Sequence, residues 1–343
     1  MPYRFEFRPY QRKFNQALQT HHGLWETRCG IILRLTAESG QIGFGEIAPL
    51  SWFGSESLEQ ALDFCHQLPT QIKAEDIFTI PTSLPACQFG LESAWELLQE
   101  QGFQDINRAS QQEPVPIPVS GLLPAGAAAL SSWQELWQQG YRTFKWKIGV
   151  APIEQELQHF QALVQVLPSE AKLRLDANGG LTSAEAHDWL KACDQVGVEF
   201  LEQPLPVEQF DTMLSLSQQY TTPLALDESV AQLNQLEACY RRGWRGVFVI
   251  KPAIVGSPKR LRQFCQTYAI DAVFSSVFET SIGQQAGLKL VLELGLCHQA
   301  QGYGTNHWFP HDGFGRSNLA SPELSPSSPD FSQTVFQALW NRL

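Results

Sequence analysis

Five charged residues recur at near-constant spacing through the middle of this 343-residue chain. Lys147 in FKWKIG, Asp176 in LRLDANGG, Glu202 in FLEQPLP, Asp227 in LALDES and Lys251 in FVIKPA lie 29, 26, 25 and 24 residues apart. Each closes a short apolar run, where a buried strand should stay apolar. Singly, each has an ordinary explanation: a strand-end aspartate caps the next helix, a lysine guards a sheet edge or snorkels outward, and Glu202 opens a loop. Those explanations would have to hold independently on five successive segments. Three acids in sequence with lysines on either side describe one site instead. Carboxylates without His or Cys form a hard oxygen donor set, suited best to Mg²⁺, with Mn²⁺ as the alternative and Zn²⁺ disfavoured. Lys145 and Lys147 share one strand face, and Lys251 lies beyond the acids. A free lysine, with a pKa of about 10.4, is too basic to act near neutrality. A second ammonium, a divalent cation and partial burial all push it down. A cation to stabilise an enolate and lysines to move a proton together specify proton abstraction α to a carboxylate.

The intervals match one strand–helix unit, so the charges occupy equivalent places at the C-terminal ends of successive strands. The runs VPIPVSGLL, YRTFKWKIG, AKLRLDANGG, VEFLEQPL, PLALDES, GVFVIKPA and DAVFSSVFE, with QGYGTNHWF less clear-cut, alternate with helix-length segments. Helix caps fall between them: Thr182 and Glu185 make a T-x-x-E box, and Ser257 precedes Pro258. About eight parallel strands over roughly 200 residues indicate a TIM-like barrel, whose sites form at the C-terminal mouth. A doubly wound sheet is the competing fold, but no GxGxxG follows the first strand. The first hundred residues differ. Two strand-like runs, PYRFEFRPY and CGIILRLTAESGQIGFGEIAPL, precede the apolar helical segments LEQALDFCHQL and FGLESAWELLQE, an α+β pattern. ASQQEPVPIP then reads as a linker.

Lys+Arg number 24 against 35 Asp+Glu, a net charge of −11 with no basic run, which argues against nucleic acid and anionic membrane surfaces as partners. The N-terminus lacks the apolar core of a secretory signal, and no run approaches the ~20 apolar residues of a bilayer span. Seven scattered cysteines, without CxxC pairs, fit a reducing cytoplasm.

In order, KWK, LDAN, LEQP, LDES and IKP resemble the enolase superfamily in its muconate-lactonizing-enzyme-like branch, whose sites use a Lys or His base with Mg²⁺. The branch with a His–Asp base fits poorly, since AVFSSVFETSIG contains no histidine. The resemblance implies a (β/α)7β barrel over 113–309, carrying the site, and an α+β capping domain over 1–112 on which 310–343 packs back. Within the branch, RLDAN, GEIAPL and SSVFETSIG are similar to the dehydratases that form 2-succinylbenzoate for menaquinone and phylloquinone. Dipeptide epimerases carry a D-x-D near the eighth strand; GYGTNHWFPHDGF has only Asp312. The implied roles are Lys147 as base, Lys251 as electrostatic partner, and Lys145 holding the substrate carboxylate and tuning Lys147. Asp176, Glu202 and Asp227 are the Mg²⁺ ligands. Arg174 and Asn178 surround them, and Ser275 and Ser276 contact a small carboxylate substrate, although both serines also read as ordinary strand-end residues. His21, His22 and Trp25 fall where a cap loop is expected and receive no role. N-acylamino acid racemisation or dipeptide epimerisation is the alternative reaction. A non-catalytic barrel is the third reading, and an intact set of acids and lysines argues against it. Oligomeric state is not legible.

Overall fold

The computed structural model describes residues 2–20, 23–104, 115–316 and 321–343. An antiparallel sheet comes first, from β1 (Tyr3–Thr20), β2 (Gly23–Thr36), β3 (Ile42–Ile47) and the short β4 (Gln71–Ile72), in the order β3-β2-β1-β4. Helices α1 (Leu58–Gln67), α2 (Ala74–Phe78) and α3 (Pro85–Gln104) cover it. Contact with α3 is close because the sheet presents glycine. A Cβ on Gly43 would lie 1.9 Å from the Ala94 carbonyl oxygen, and one on Gly45 would lie 2.0 Å from that of Gly90. Sequence periodicity found the inner halves of the hairpin and missed the outer ones. Residues 11–20 read QRKFNQALQT, too polar to signal a strand, yet they pair with β2 through a register shift between Lys13 and Leu18.

The remainder forms the barrel. After β5 (Ile117–Pro118) come seven parallel strands: β6 (Gly121–Leu123), β7 (Thr143–Lys147), β8 (Lys172–Asp176), β9 (Phe200–Glu202), β10 (Leu224–Leu226), β11 (Val247–Ile250) and β12 (Ala272–Phe274), in strict sequence order. Between and after them run α4 (Ala129–Gln138), α5 (Ile153–Val166), α6 (Ser183–Asp194), α7 (Phe210–Gln219), α8 (Leu233–Arg241), α9 (Pro252–Val255), α10 (Pro258–Tyr268) and α11 (Ser281–Glu293). Both expected caps are present: Thr182 accepts from the Glu185 N–H in a complete capping box, and Ser257 from that of Arg260. The eighth stave, expected in QGYGTNHWF, is reduced to Gln301 and Gly302, which bridge Val119 and Ser275 and close the ring. Beyond them the chain turns at once into a 3₁₀ turn over Asn306–Trp308.

A two-residue strand β13 (Glu323–Leu324) pairs with β5, and the final helix α12 (Gln333–Arg342) returns to the first sheet. There Arg8 donates to the Trp340 carbonyl at 2.6 Å, and Phe44 packs on Phe336 and Trp340. The boundary expected at 112/113, most of the linker, and His21 and His22 lie outside the described residues. No helix among the described residues is long and apolar enough to cross a membrane, and all seven cysteines are unpaired.

Candidate active site

On β7 and at the residue after it, Phe144, Trp146 and Ile148 are buried toward the helices, with Trp146 packed edge-on against Trp189 of α6. Lys145 and Lys147 therefore point into the barrel. Lys147, Asp176 and Glu202 stand side by side in register across three adjacent strands. Glu202 pairs with Ala225 and Leu226 with Phe248, so Asp227 and Lys251 continue the same inward face slightly higher. Beneath them Phe200, Ala225, Val247, Val249 and Val273 form a separate apolar cluster filling the barrel. The polar groups open upward only, into a cavity of about 550 Å³. Lys145, Lys147, Arg174, Asp176, Asn178, Glu202, Asp227, Lys251, Ser275 and Ser276 all line it.

Loop chemistry fixes the strand ends. Asn178, at φ 43°, is left-handed, a conformation asparagine tolerates. That turn brings its N–H within 3.0 Å of Asp176 Oδ1 and its side-chain amide within 3.2 Å of Glu228 Oε1. Gln203, at φ 36°, is buried and joins two strands: its Oε1 accepts from the Asp227 N–H at 3.0 Å, and its Nε2 donates to Ser229 Oγ at 2.9 Å.

The lysines differ in their pairing. Lys145 Nζ lies 2.7 Å from Asp176 Oδ2 and 2.8 Å from Glu202 Oε1. Lys251 pairs with Asp227 and has its ammonium 4.0 Å from the Phe53 ring centroid. Lys147 makes no ion pair or hydrogen bond among the described residues. These contacts set the charge state of Lys145. Burial alone works to lower its pKa, but Asp176, Glu202 and Asp227 outweigh burial and raise it above the usual lysine range. Lys145 is thus a counter-ion of the acids in this structure, and it still lines the cavity.

The acids pay for their closeness. Burial and the Asp176 carboxylate push Glu202 up to about 8, and burial with Asp227 pushes the neighbouring Glu228 up to about 7. Burial opposes the charged form of Asp176 too, yet Lys145 holds that carboxyl below its usual value. Among the described residues no three ligands stand in ready metal geometry, and ammonium groups pair with the carboxylates there. The donor set nonetheless fits a hard divalent cation. It offers three buried carboxylates from adjacent strands and, beside them, a buried Glu228 Oε2 that has no hydrogen-bond partner among the described residues.

Two expectations change. Arg174 does not reach Asp176. It sits one pleat lower, where Nε donates to Glu199 Oε2 at 2.5 Å and Nη1 to the Ala300 carbonyl at 2.8 Å, propping the floor. Ser276 lines the cavity, but its hydroxyl is engaged with Glu279 Oε2 (2.8 Å), the Phe278 N–H and Thr305 Oγ1. Ser275 is the freer serine. Sequence reasoning missed Glu228, although it adjoins Asp227, and of the apolar upper wall it placed only Trp25, in the expected cap loop and without a role. Leu50, Trp52 and Phe53 of the cap face Trp25, Phe278 and Trp308 there, and no spacing rule announces that a loop from another domain will cover a barrel.

A seven-strand parallel barrel under an antiparallel cap, with acids on three adjacent strands between lysines, defines a member of the enolase superfamily. Residues 128–324 match the enolase C-terminal domain-like family, and residues 6–98 match the MenC N-terminal domain. Within the superfamily the chain belongs to the o-succinylbenzoate synthase family. It is 40% identical, over 99% of both chains, to the o-succinylbenzoate synthase of Thermosynechococcus vestitus (strain NIES-2133 / IAM M-273 / BP-1). The crystal structure of o-succinylbenzoate synthase from Thermosynechococcus elongatus BP-1, complexed with Mg in the active site, superposes with a TM-score of 0.84 at 38% identity. That match covers 99% of this chain and all of the other. A dipeptide epimerase from Enterococcus faecalis V583 shares the fold at TM-score 0.78 and 20% identity, over 95% of this chain and 97% of that one.

Proposed function

We propose that the chain dehydrates 2-succinyl-6-hydroxy-2,4-cyclohexadiene-1-carboxylate to 2-succinylbenzoate by syn β-elimination, a step of menaquinone or phylloquinone biosynthesis. The full-length likeness to o-succinylbenzoate synthases supports this reaction. The observation that carries it over epimerisation is the charge lining of the cavity. Among the described residues its carboxylates are Asp176, Glu202, Asp227 and Glu228, all at the floor, and the isolated Asp312 is held by Arg12 at 2.7 Å. Among the described residues nothing in the upper cavity offers an acid to a substrate ammonium, whereas a succinyl carboxylate needs only neutral donors such as Ser275.

Lys147 is the base, because among the described residues it alone of the three lysines is unpaired. It takes the α-proton, and the electron pair of the broken C–H bond moves into the ring and breaks the neighbouring C–O bond. The departing hydroxyl collects the proton that Lys147 holds, so water leaves and the ring becomes aromatic. A divalent cation held by Asp176, Glu202 and Asp227, Mg²⁺ by preference, supplies charge that stabilises the anion formed as the proton departs. Lys251, on the far side of the acids, adds positive charge to the same anion, and Phe53 shields its ammonium from water. Lys145 stays with Asp176 and Glu202 and balances their charge, while Asn178 orients Asp176.

The same reading makes 1–112 with 310–343 a cap over a barrel of 113–309, and it places the enzyme in the cytoplasm, consistent with seven free thiols. The test is the purified protein with Mg²⁺ and the cyclohexadiene carboxylate. The diene absorbance should fall as 2-succinylbenzoate accumulates in the chromatogram, and an unchanged substrate would sink the proposal.

A further inference from the structure

Two runs that hold none of the strand-end acids or lysines, GEIAPL at 45–50 and SSVFETSIG at 275–283, turn out to be the two sides of one contact. Glu46, in β3 of the cap, is fully buried. Its carboxylate accepts from Thr280 Oγ1 at 2.5 Å, the Thr280 N–H at 2.9 Å, the Gly283 N–H at 3.0 Å and Tyr10 OH at 2.5 Å. Thr280 is the N-cap of α11, so a cap-domain carboxylate sits at the positive end of a barrel helix. Position 283 must be glycine for this approach, since a Cβ there would lie 2.8 Å from Glu46 Oε2.

Arg28 makes the second half of the contact. It is buried, and it bonds carbonyl oxygens from both domains. Nε donates to Val277 at 2.9 Å on the barrel side, Nη1 donates to Pro49 at 2.9 Å, and Nη2 donates to Ala48 on the cap side. Immediately beyond those anchors lie Leu50, Trp52 and Phe53 from the cap and Phe278 from the barrel, all lining the cavity.

We propose that Arg28 and Glu46 are positioning residues: they latch the cap to the segment after β12 and so set the separation of the cavity's two apolar walls. Neither residue lines the cavity. Walls that embrace the unreacting part of a substrate act alike on ground and transition states, so loosening them raises KM more than it lowers kcat. The kinetic consequence rests on the dehydration reading; the structural one does not. One ammonium cannot replace a fork that spans the carbonyls of Val277, Cys29, Pro49 and Ala48, which makes Arg28→Lys the informative variant.

In Arg28→Lys, KM for the cyclohexadiene carboxylate should rise about tenfold or more, with kcat within about threefold of wild type. Hydrogen–deuterium exchange should accelerate in 48–53 and 275–283 together. A lower melting temperature with unchanged KM, or faster exchange on one side only, would overturn the latch. Should Arg28→Lys fail to fold, Thr280→Val and Thr280→Ser take its place. Valine should raise KM and serine restore it, and wild-type KM in both contradicts the proposal. Should wild-type protein leave the diene untouched, the dehydration reading fails by itself, and the paired exchange pattern alone decides the latch.

Discussion

Lys147→Ala loses turnover by about 10²–10⁴-fold, the usual contribution of a positioned base, and melts where the wild type melts. The second half follows from the first residue's isolation: Lys147 has no ion pair or hydrogen bond among the described residues, so removing it strands no partner. Lys251→Ala should lose about 10²–10³-fold, as for an electrostatic stabiliser. It behaves differently in the absence of metal, because Asp227 is left buried without its counter-ion. Circular dichroism with thermal melts, alongside steady-state rates, separates the two. Near-normal kcat in a folded Lys147→Ala would remove the base from the scheme.

Metal removal has the other large effect. Exhaustive chelation should abolish turnover, and Mg²⁺ or Mn²⁺ should restore it. Titration calorimetry on the stripped protein should show one Mg²⁺ per chain, and Glu202→Gln should abolish that heat. The reason is electrostatic. Burial and Asp176 already push the Glu202 carboxyl up to about 8 with only ammonium groups nearby, so a divalent cation is the partner that lets all three acids ionise together. Full activity in chelator, with elemental analysis confirming that no metal is left, would refute the assignment.

The floor of the site was legible in the sequence for a simple reason. A βα repeat places equivalent residues at equal intervals, and a charge at the end of an apolar strand has few structural uses, so Lys147, Asp176, Glu202, Asp227 and Lys251 announced themselves. Their pairing did not. Two lysines two residues apart suggest mutual repulsion, but Lys145 reaches across to two acids on neighbouring strands, a preference that depends on register and burial. Arg174 shared Asp176's face in the sequence pattern and sits one pleat too low to touch it, because parity gives the face and not the depth. The upper wall, apart from Trp25 in the expected cap loop, was invisible for a different reason. Trp25, Leu50, Trp52 and Phe53 reach the cavity only because buried contacts such as Arg28 to Val277 and Glu46 to Thr280 dock one domain on the other, and no local periodicity encodes docking.

Substrate choice is the central claim, and side-by-side kinetics with three substrate classes tests it most directly: the cyclohexadiene carboxylate, N-succinylamino acids and dipeptides, each with Mg²⁺. A dipeptide ammonium finds no acid in the upper cavity among the described residues, and a missing charge partner costs several kcal/mol at tenfold in rate per 1.36 kcal/mol. The predicted kcat/KM for the cyclohexadiene therefore exceeds that for any dipeptide by at least about 10³. N-succinylamino acids share the succinyl group and need no ammonium site, so they are the stronger competitors, yet they too should be turned over more slowly than the diene. A dipeptide or an N-succinylamino acid processed faster than the cyclohexadiene carboxylate would contradict the account.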